Sequence, residues 1–357
     1  MAAGPSLQPL VDQIRQASAA GAPLNIVGGN TKSFLARRRD GESVSTAGHT
    51  GVVSYDPTEM VITVRAGTTL ADVESVLGES GQILGFEPPR LGGASTIGGV
   101  ISSGLSGPAR PYRGRARDFV LGIEMVNGLG EVLRFGGRVM KNVAGYDVSR
   151  LVAGASGVLG FISEISIRVV PKPAVEKTLT WQLDADEARA KMRTIASAPW
   201  PITAMCADAS GLRVRASGSP EAVNDAVHQL QPDRADDDVE YWVQIRNLSL
   251  EALQPLPHKP LWRLSVPPAS ADFGAAAELY DWGGAQRWLR SGAEPETLKQ
   301  AAIACGGYAQ CFHSVEPRSE FLSMPDPALW PLTQRLCRSF DPAGIFNRGH
   351  HFPSTVE

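Results

Sequence analysis

Three glycine-rich passages, each beside a short apolar run, constrain this 357-residue chain more than any other feature. Gly28-Gly29-Asn30-Thr31-Lys32-Ser33 follows Leu24-Asn25-Ile26-Val27. Gly92-Gly93-Ala94-Ser95-Thr96-Ile97-Gly98-Gly99 and Gly154-Ala155-Ser156-Gly157-Val158-Leu159-Gly160-Phe161 come later. Small residues mixed with hydroxyls next to a strand are what a chain needs to lay backbone N–H groups against a phosphate-bearing ligand. From Thr96 to Gly107 nearly every residue is Gly, Ser, Thr or small and apolar, with Ile97, Val100, Ile101 and Leu105 as anchors. That stretch is expected to form a backbone-lined wall for a flat ligand; a tightly packed helix pair or a loose loop is the alternative. No Gly-x-Gly-x-x-Gly opens a helix with an acidic residue about 20 positions on, so NAD is not expected.

The length implies two domains. Leu7 to Ala20 reads as an amphipathic helix ended by Gly21, and Met60–Ala66 as a strand. Thr68 or Thr69 then caps a helix carrying Leu70, Val73, Val76 and Leu77, and Gln82–Gly85 returns as a strand. Phe119 to Phe135 is a hairpin turning at Asn127–Gly130, Asp147–Val152 a short helix, and Phe161–Val170 a strand halted by Pro171-Lys172-Pro173. Beyond lie strands at Thr178–Leu183, Thr203–Asp208, Leu212–Ser217, Tyr241–Arg246 and Trp262–Val266, with helices at Ala185–Ser197 and Pro220–Leu230. The order suggests an antiparallel sheet with helices on one face. The expected domains are 1–173, 174–325 and a helical tail, 326–357, in an α+β architecture.

A net charge of −3 argues against nucleic acid as a partner. No apolar run approaches the roughly 20 residues of a membrane helix. No signal peptide is visible, so the expected location is cytoplasmic, with any membrane association made through partner subunits. Cys206, Cys305, Cys311 and Cys337 form no Cys-x-x-Cys pair and no metal-ligand spacing with histidine. Free thiols are expected, with no iron–sulfur cluster and no metal on this chain.

Val27-Gly28-Gly29-Asn30-Thr31, Thr96-Ile97-Gly98-Gly99, and Ala144-Gly145-Tyr146-Asp147 running through Ser156–Ile162 resemble the PCMH-type FAD-binding domain of the vanillyl-alcohol oxidase family. The closing Asp341-Pro342-Ala343-Gly344-Ile345-Phe346-Asn347 resembles that family's return to the flavin. Within the family the chain is most similar to the smaller FAD-binding subunits of bacterial glycolate oxidases. The likeness implies a two-lobed FAD domain followed by a smaller antiparallel domain. It implies FAD, and partners comprising a larger FAD-containing subunit and an iron–sulfur subunit; since no His or Cys lies within the three glycine passages, the FAD is expected to be non-covalent. It also implies glycolate, a small 2-hydroxy acid, as substrate of the complex. Carried over, Gly28, Gly29, Asn30, Thr31, Lys32 and Ser33 would hold the pyrophosphate. Thr96, Gly98, Gly99, Ser102, Ser103 and Gly104 would line the flavin and ribityl side. Gly157, Gly160 and Ile162 would meet the adenosine half, and Asn347 would close from the tail.

Arg348 stands where the family tail has proline, and His228, His258 and His313 are too scattered for the paired-histidine metal site of self-sufficient relatives. Oxidising a 2-hydroxy acid needs a base, a cation for the carboxylate and a flavin. His350 and His351 are bases by type, but a plain terminal pair accounts for them as well. His49 reads as structural, and Arg113, Arg115 and Arg117 as an exposed loop cluster. No catalytic residue is assigned. The alternative to a complex-bound subunit is a free-standing FAD-dependent 2-hydroxy-acid dehydrogenase.

Overall fold

The computed structural model describes residues 6–35, 41–137, 146–272, 276–315 and 328–349. Ala144, Gly145, His350 and His351, singled out above, lie outside the described residues, as do Arg37, Arg38 and Arg39. The chain divides into two compact units. The first comprises Met1–Leu105, Arg115–Pro171 and Met324–Glu357; the second comprises Ser106–Gly114 and Lys172–Ser323. The short segment 106–114, expected in the first domain, thus belongs to the second unit. Its Gly107 carbonyl accepts the Trp282 indole N–H at 3.2 Å, and the Arg110 guanidinium stacks 4.3 Å over the Trp282 ring.

The first unit has two cores. A five-stranded antiparallel sheet runs in the order Val52–Asp56, Val61–Arg65, Phe161–Arg168, Val120–Val126, Val132–Gly136. Its apolar side is closed by the helix Leu70–Glu79, which buries Leu70, Val73 and Leu77 at helical spacing and is capped by Thr69. The second core joins the helix Gln8–Ala20, through Val11, Ile14 and Ala17, to a parallel strand pair, Leu24–Val27 with Glu42–Ser45. Ile345 and Phe346 of the tail fill it from the other end of the chain.

The stretch expected as an open wall is a helix, Ile97–Ser103, started by the Thr96 hydroxyl and ended by left-handed Gly104. Ile97, Val100 and Ile101 are fully buried, so the small residues serve helix packing as well as the surface they expose.

In the second unit an eight-stranded antiparallel sheet includes four strands not expected, Arg234–Asp236, Leu279–Asp281, Gln286–Arg290 and Tyr308–His313. Tyr241–Arg246, expected as a strand from its β-branched and aromatic content, lies in a helix, Val239–Asn247. Asp238 caps it by accepting from the Tyr241 N–H at 3.2 Å, and Tyr241, Trp242 and Ile245 share the buried face. Tertiary burial outweighs the weak local preference here. That helix covers the sheet face bearing Cys206 and Asp208, both bonded by the Tyr241 hydroxyl. Met205 and Ala207 point the opposite way, into a core shared with the helices Ala185–Ala196 and Pro220–Leu230. Helices therefore cover both faces, not one.

Candidate functional site

In the first unit the glycine passages converge on one solvent-open cleft. Fourteen of the residues expected from sequence line it: Gly28, Gly29, Asn30, Thr31, Lys32, Ser33, Thr96, Gly98, Gly99, Ser102, Ser103, Gly160, Ile162 and Asn347. Gly104 and Gly157 are not in the lining. Gly104 ends the helix against Gly154; Gly157 takes a positive φ and leaves no room for a β-carbon, which would sit 2.6 Å from the Asn347 amide nitrogen. Asn25, Ile26, Val27, Leu35, Thr46 and Ser156 also line the cleft and were not foreseen. Thr46 arrives through the parallel pairing of Val27 with Ser45, which no local pattern announces.

The three passages differ in what their backbones offer. Ile97, Gly98 and Gly99 have spent their N–H groups on the Thr68 carbonyl, the Ala66 carbonyl and the Thr96 hydroxyl. Ser156 donates to the Ser102 carbonyl and Gly154 to that of Ile101. In the first loop, among the described residues, Gly28 to Ser33 donate no backbone hydrogen bond, and Gly92 to Ser95 ahead of the helix Ile97–Ser103 donate none either. Unpaired amides in a concave turn form an anion cradle. Gly29 makes the turn possible, because a β-carbon there would fall 1.4 Å from the Ala94 carbonyl oxygen.

Among the described residues Lys32 supplies the only charge in the lining. Its ammonium donates to the Ser95 hydroxyl at 2.7 Å and, among the described residues, has no carboxylate partner. Burial lowers its pKa from 10.5 to about 8. A cleft with one desolvated cation, six bare amides, hydroxyls and no acidic side chain suits a diphosphate. The residues present therefore fit FAD.

Asn347 is held more firmly than the loss of the neighbouring proline suggested. Its Oδ1 accepts from the Ile26 N–H at 2.8 Å and its Nδ2 donates to the Ser156 carbonyl at 2.7 Å, while its own N–H donates to the Leu24 carbonyl at 2.9 Å. The tail is folded for this by Asp341, whose Oδ2 accepts from the Phe346 N–H at 2.8 Å. One side chain thereby staples the first passage to the third.

The remaining candidates do not gather. His49 is buried with neither ring nitrogen hydrogen-bonded, and burial together with Arg65 lowers its pKa. Arg115 pairs with Asp118 at 3.4 Å. Among the described residues no three metal-ligating side chains come together, and all four cysteines are free. No described helix is long and apolar enough to cross a membrane.

A model of an FAD binding domain matches residues 6–136. Glycolate oxidase subunit GlcE of Escherichia coli (strain K12) is 40% identical over 346 residues, spanning 97% of each chain. Glycolate oxidase subunit GlcD of Bacillus subtilis (strain 168) is 35% identical over 128 residues, or 36% of this chain and 27% of that one. Among solved structures, an alkyldihydroxyacetonephosphate synthase shares the fold with a TM-score of 0.64 over 96% of this chain and 74% of its own, at 15% identity.

Proposed function

The chain belongs to the family of the glycolate oxidase subunit GlcE and is an FAD-dependent oxidoreductase subunit, and from that premise we propose that it serves a complex oxidising glycolate to glyoxylate. Its partners in this reading are a larger FAD-containing subunit and an iron–sulfur subunit. Bound FAD would supply the acceptor for the hydride that leaves the hydroxyl-bearing carbon. The chain's own contribution is to hold the cofactor. The amides of Gly28–Ser33 and the Lys32 ammonium meet the pyrophosphate, while Thr96, Gly98, Gly99, Ser102 and Ser103 line the flavin and ribityl side. Gly160 and Ile162 support the adenosine half, and Asn347 keeps the loops in register.

The observation that carries this reading is the bare-amide loop beside a desolvated lysine that, among the described residues, has hydroxyl partners but no carboxylate. The visible spectrum of the purified chain, before and after anaerobic glycolate, tests it. Bound flavin that stays oxidised alone and bleaches once the partner subunits are added is the expected result. Bleaching of the isolated chain would make it a free-standing dehydrogenase. Protein that remains colourless in added FAD would overturn the reading.

A further inference from the structure

The second unit holds a cation that the flavin cleft does not use. Arg263 lies on the strand Leu261–Ser265, paired with Trp288 on one side and Gln310 on the other. Its guanidinium sits 5.2 Å over the Phe312 ring, and the Trp288 ring packs edge-on against the same Phe312 at 4.9 Å. Among the described residues its one hydrogen bond is from Nη2 to the Gln310 Oε1 at 3.0 Å.

Two buried donors here have no acceptor: the Arg263 Nε and the indole Nε1 of Trp288. Trp288 is only 2% exposed. Other arginines of this sheet are treated differently. Arg213 faces Asp208 at 3.4 Å, Arg215 faces Glu176 at 3.7 Å, Arg287 faces Asp272 at 3.1 Å and Arg290 faces Glu278 at 2.9 Å. Arg263 alone among these five has no carboxylate beside it.

A half-buried guanidinium does not relieve itself by losing its proton, even though burial lowers its pKa. An unpaired buried charge and two unmet donors are both costly. An anion that accepts from all of them removes both costs. A planar carboxylate matches the guanidinium fork, and the Trp288 and Phe312 rings suit the small apolar body of such an acid.

We propose that Arg263, with Trp288 and Gln310, forms a receptor in the second unit for a small monocarboxylate of the 2-hydroxy- or 2-oxo-acid class. The substrate class, though not the site, rests on the glycolate reading above. Gln310 positions the guanidinium, and Trp288 supplies the donor for the second oxygen or the neighbouring hydroxyl.

Thermal melting of the full-length, flavin-loaded chain tests this, with glycolate and glyoxylate as ligands and phosphate and chloride as comparison anions. Glycolate at about 100 times its Kd is expected to raise Tm on the order of 5 °C, with phosphate and chloride doing much less. Arg263→Met should abolish that rise, leave FAD content unchanged and melt no lower than the parent without ligand. Trp288→Phe, which keeps the ring and removes the donor, should weaken glycolate several-fold.

A parent chain that keeps FAD but is unmoved by either acid, or moved equally by phosphate, would overturn the receptor. So would an Arg263→Met variant that keeps the glycolate response; if that variant fails to fold, an undiminished response in Trp288→Phe overturns it instead. Glycolate binding by a chain that never takes up FAD would sink the flavin reading and leave the receptor standing.

Discussion

Each compact unit holds a desolvated cation, Lys32 in one and Arg263 in the other, beside which no carboxylate lies among the described residues, and the two differ in what they can do about it. Lys32 can lose its proton, and burial already brings it to about 8. Arg263 cannot, so it stays charged in its aromatic surroundings. The contrast extends to construction. The Lys32 cleft is made of backbone, with side chains too small to intrude. The Arg263 face is made of large side chains from three neighbouring strands. A site built from backbone tolerates almost no added atom, whereas one built from side chains should tolerate conservative exchange.

The largest expected effect breaks the backbone-built site. Gly29→Ala forces a β-carbon into the Ala94 carbonyl and should destabilise the first unit by about 3 kcal/mol, with loss of bound FAD. Chemical denaturation and flavin absorbance of the purified variant would check it. Retention of full FAD content would show that the loop has slack the geometry denies.

Lys32→Met comes next and is the counterpart of Arg263→Met. FAD affinity should drop roughly 10- to 100-fold, the scale of a lost charge-assisted contact, while the cofactor-free protein should melt no lower than the parent. Titration of FAD by flavin fluorescence gives the first quantity. Unchanged affinity would remove Lys32 from the pyrophosphate.

Asn347→Ala removes two hydrogen bonds that join segments far apart in sequence. It should cost about 1–3 kcal/mol of stability and weaken FAD roughly tenfold. Hydrogen exchange at Ile26 and around Ser156 should quicken together; quickening at one alone would mean that there is no staple.

The pH response is gentler, and its sign is fixed. Between about 8 and 10.5 the unfolded chain holds the Lys32 proton and the folded chain does not, so the cofactor-free protein gains stability as pH rises through that window. An anion draws the proton back, so FAD binding takes it up and affinity should decline above about pH 8, by at most roughly tenfold per pH unit. Lys32→Met should flatten both profiles. The smallest effect concerns attachment: denaturation should release all flavin, and mass spectrometry should find none on the chain.

Much of the flavin cleft was legible because its residues lie in three short runs whose composition is unusual. The reason for the glycines was less so. They read as surfaces bared to a phosphate, yet Gly29 and Gly157 are required by contacts with Ala94 and Asn347, and the amides of Ile97, Gly98 and Gly99 are spent inside the fold. Those contacts join positions distant in sequence, which no local pattern encodes. The same holds for the helix at Tyr241, whose aromatic content favours a strand until Cys206, Asp208 and the Asp238 cap claim it. Arg263 could not be distinguished from its neighbours on sequence at all. What sets it apart from the other four is that no carboxylate lies beside it among the described residues, a property of three dimensions.

The Asn347 staple also sets a timetable. The two passages it joins are both made before residue 172, but the side chain that joins them is not made until Lys172–Ser323, most of the second unit, has been synthesised. The cleft is thus locked last although it is begun first. A nascent chain must carry its glycine loops unstapled through the synthesis of another unit.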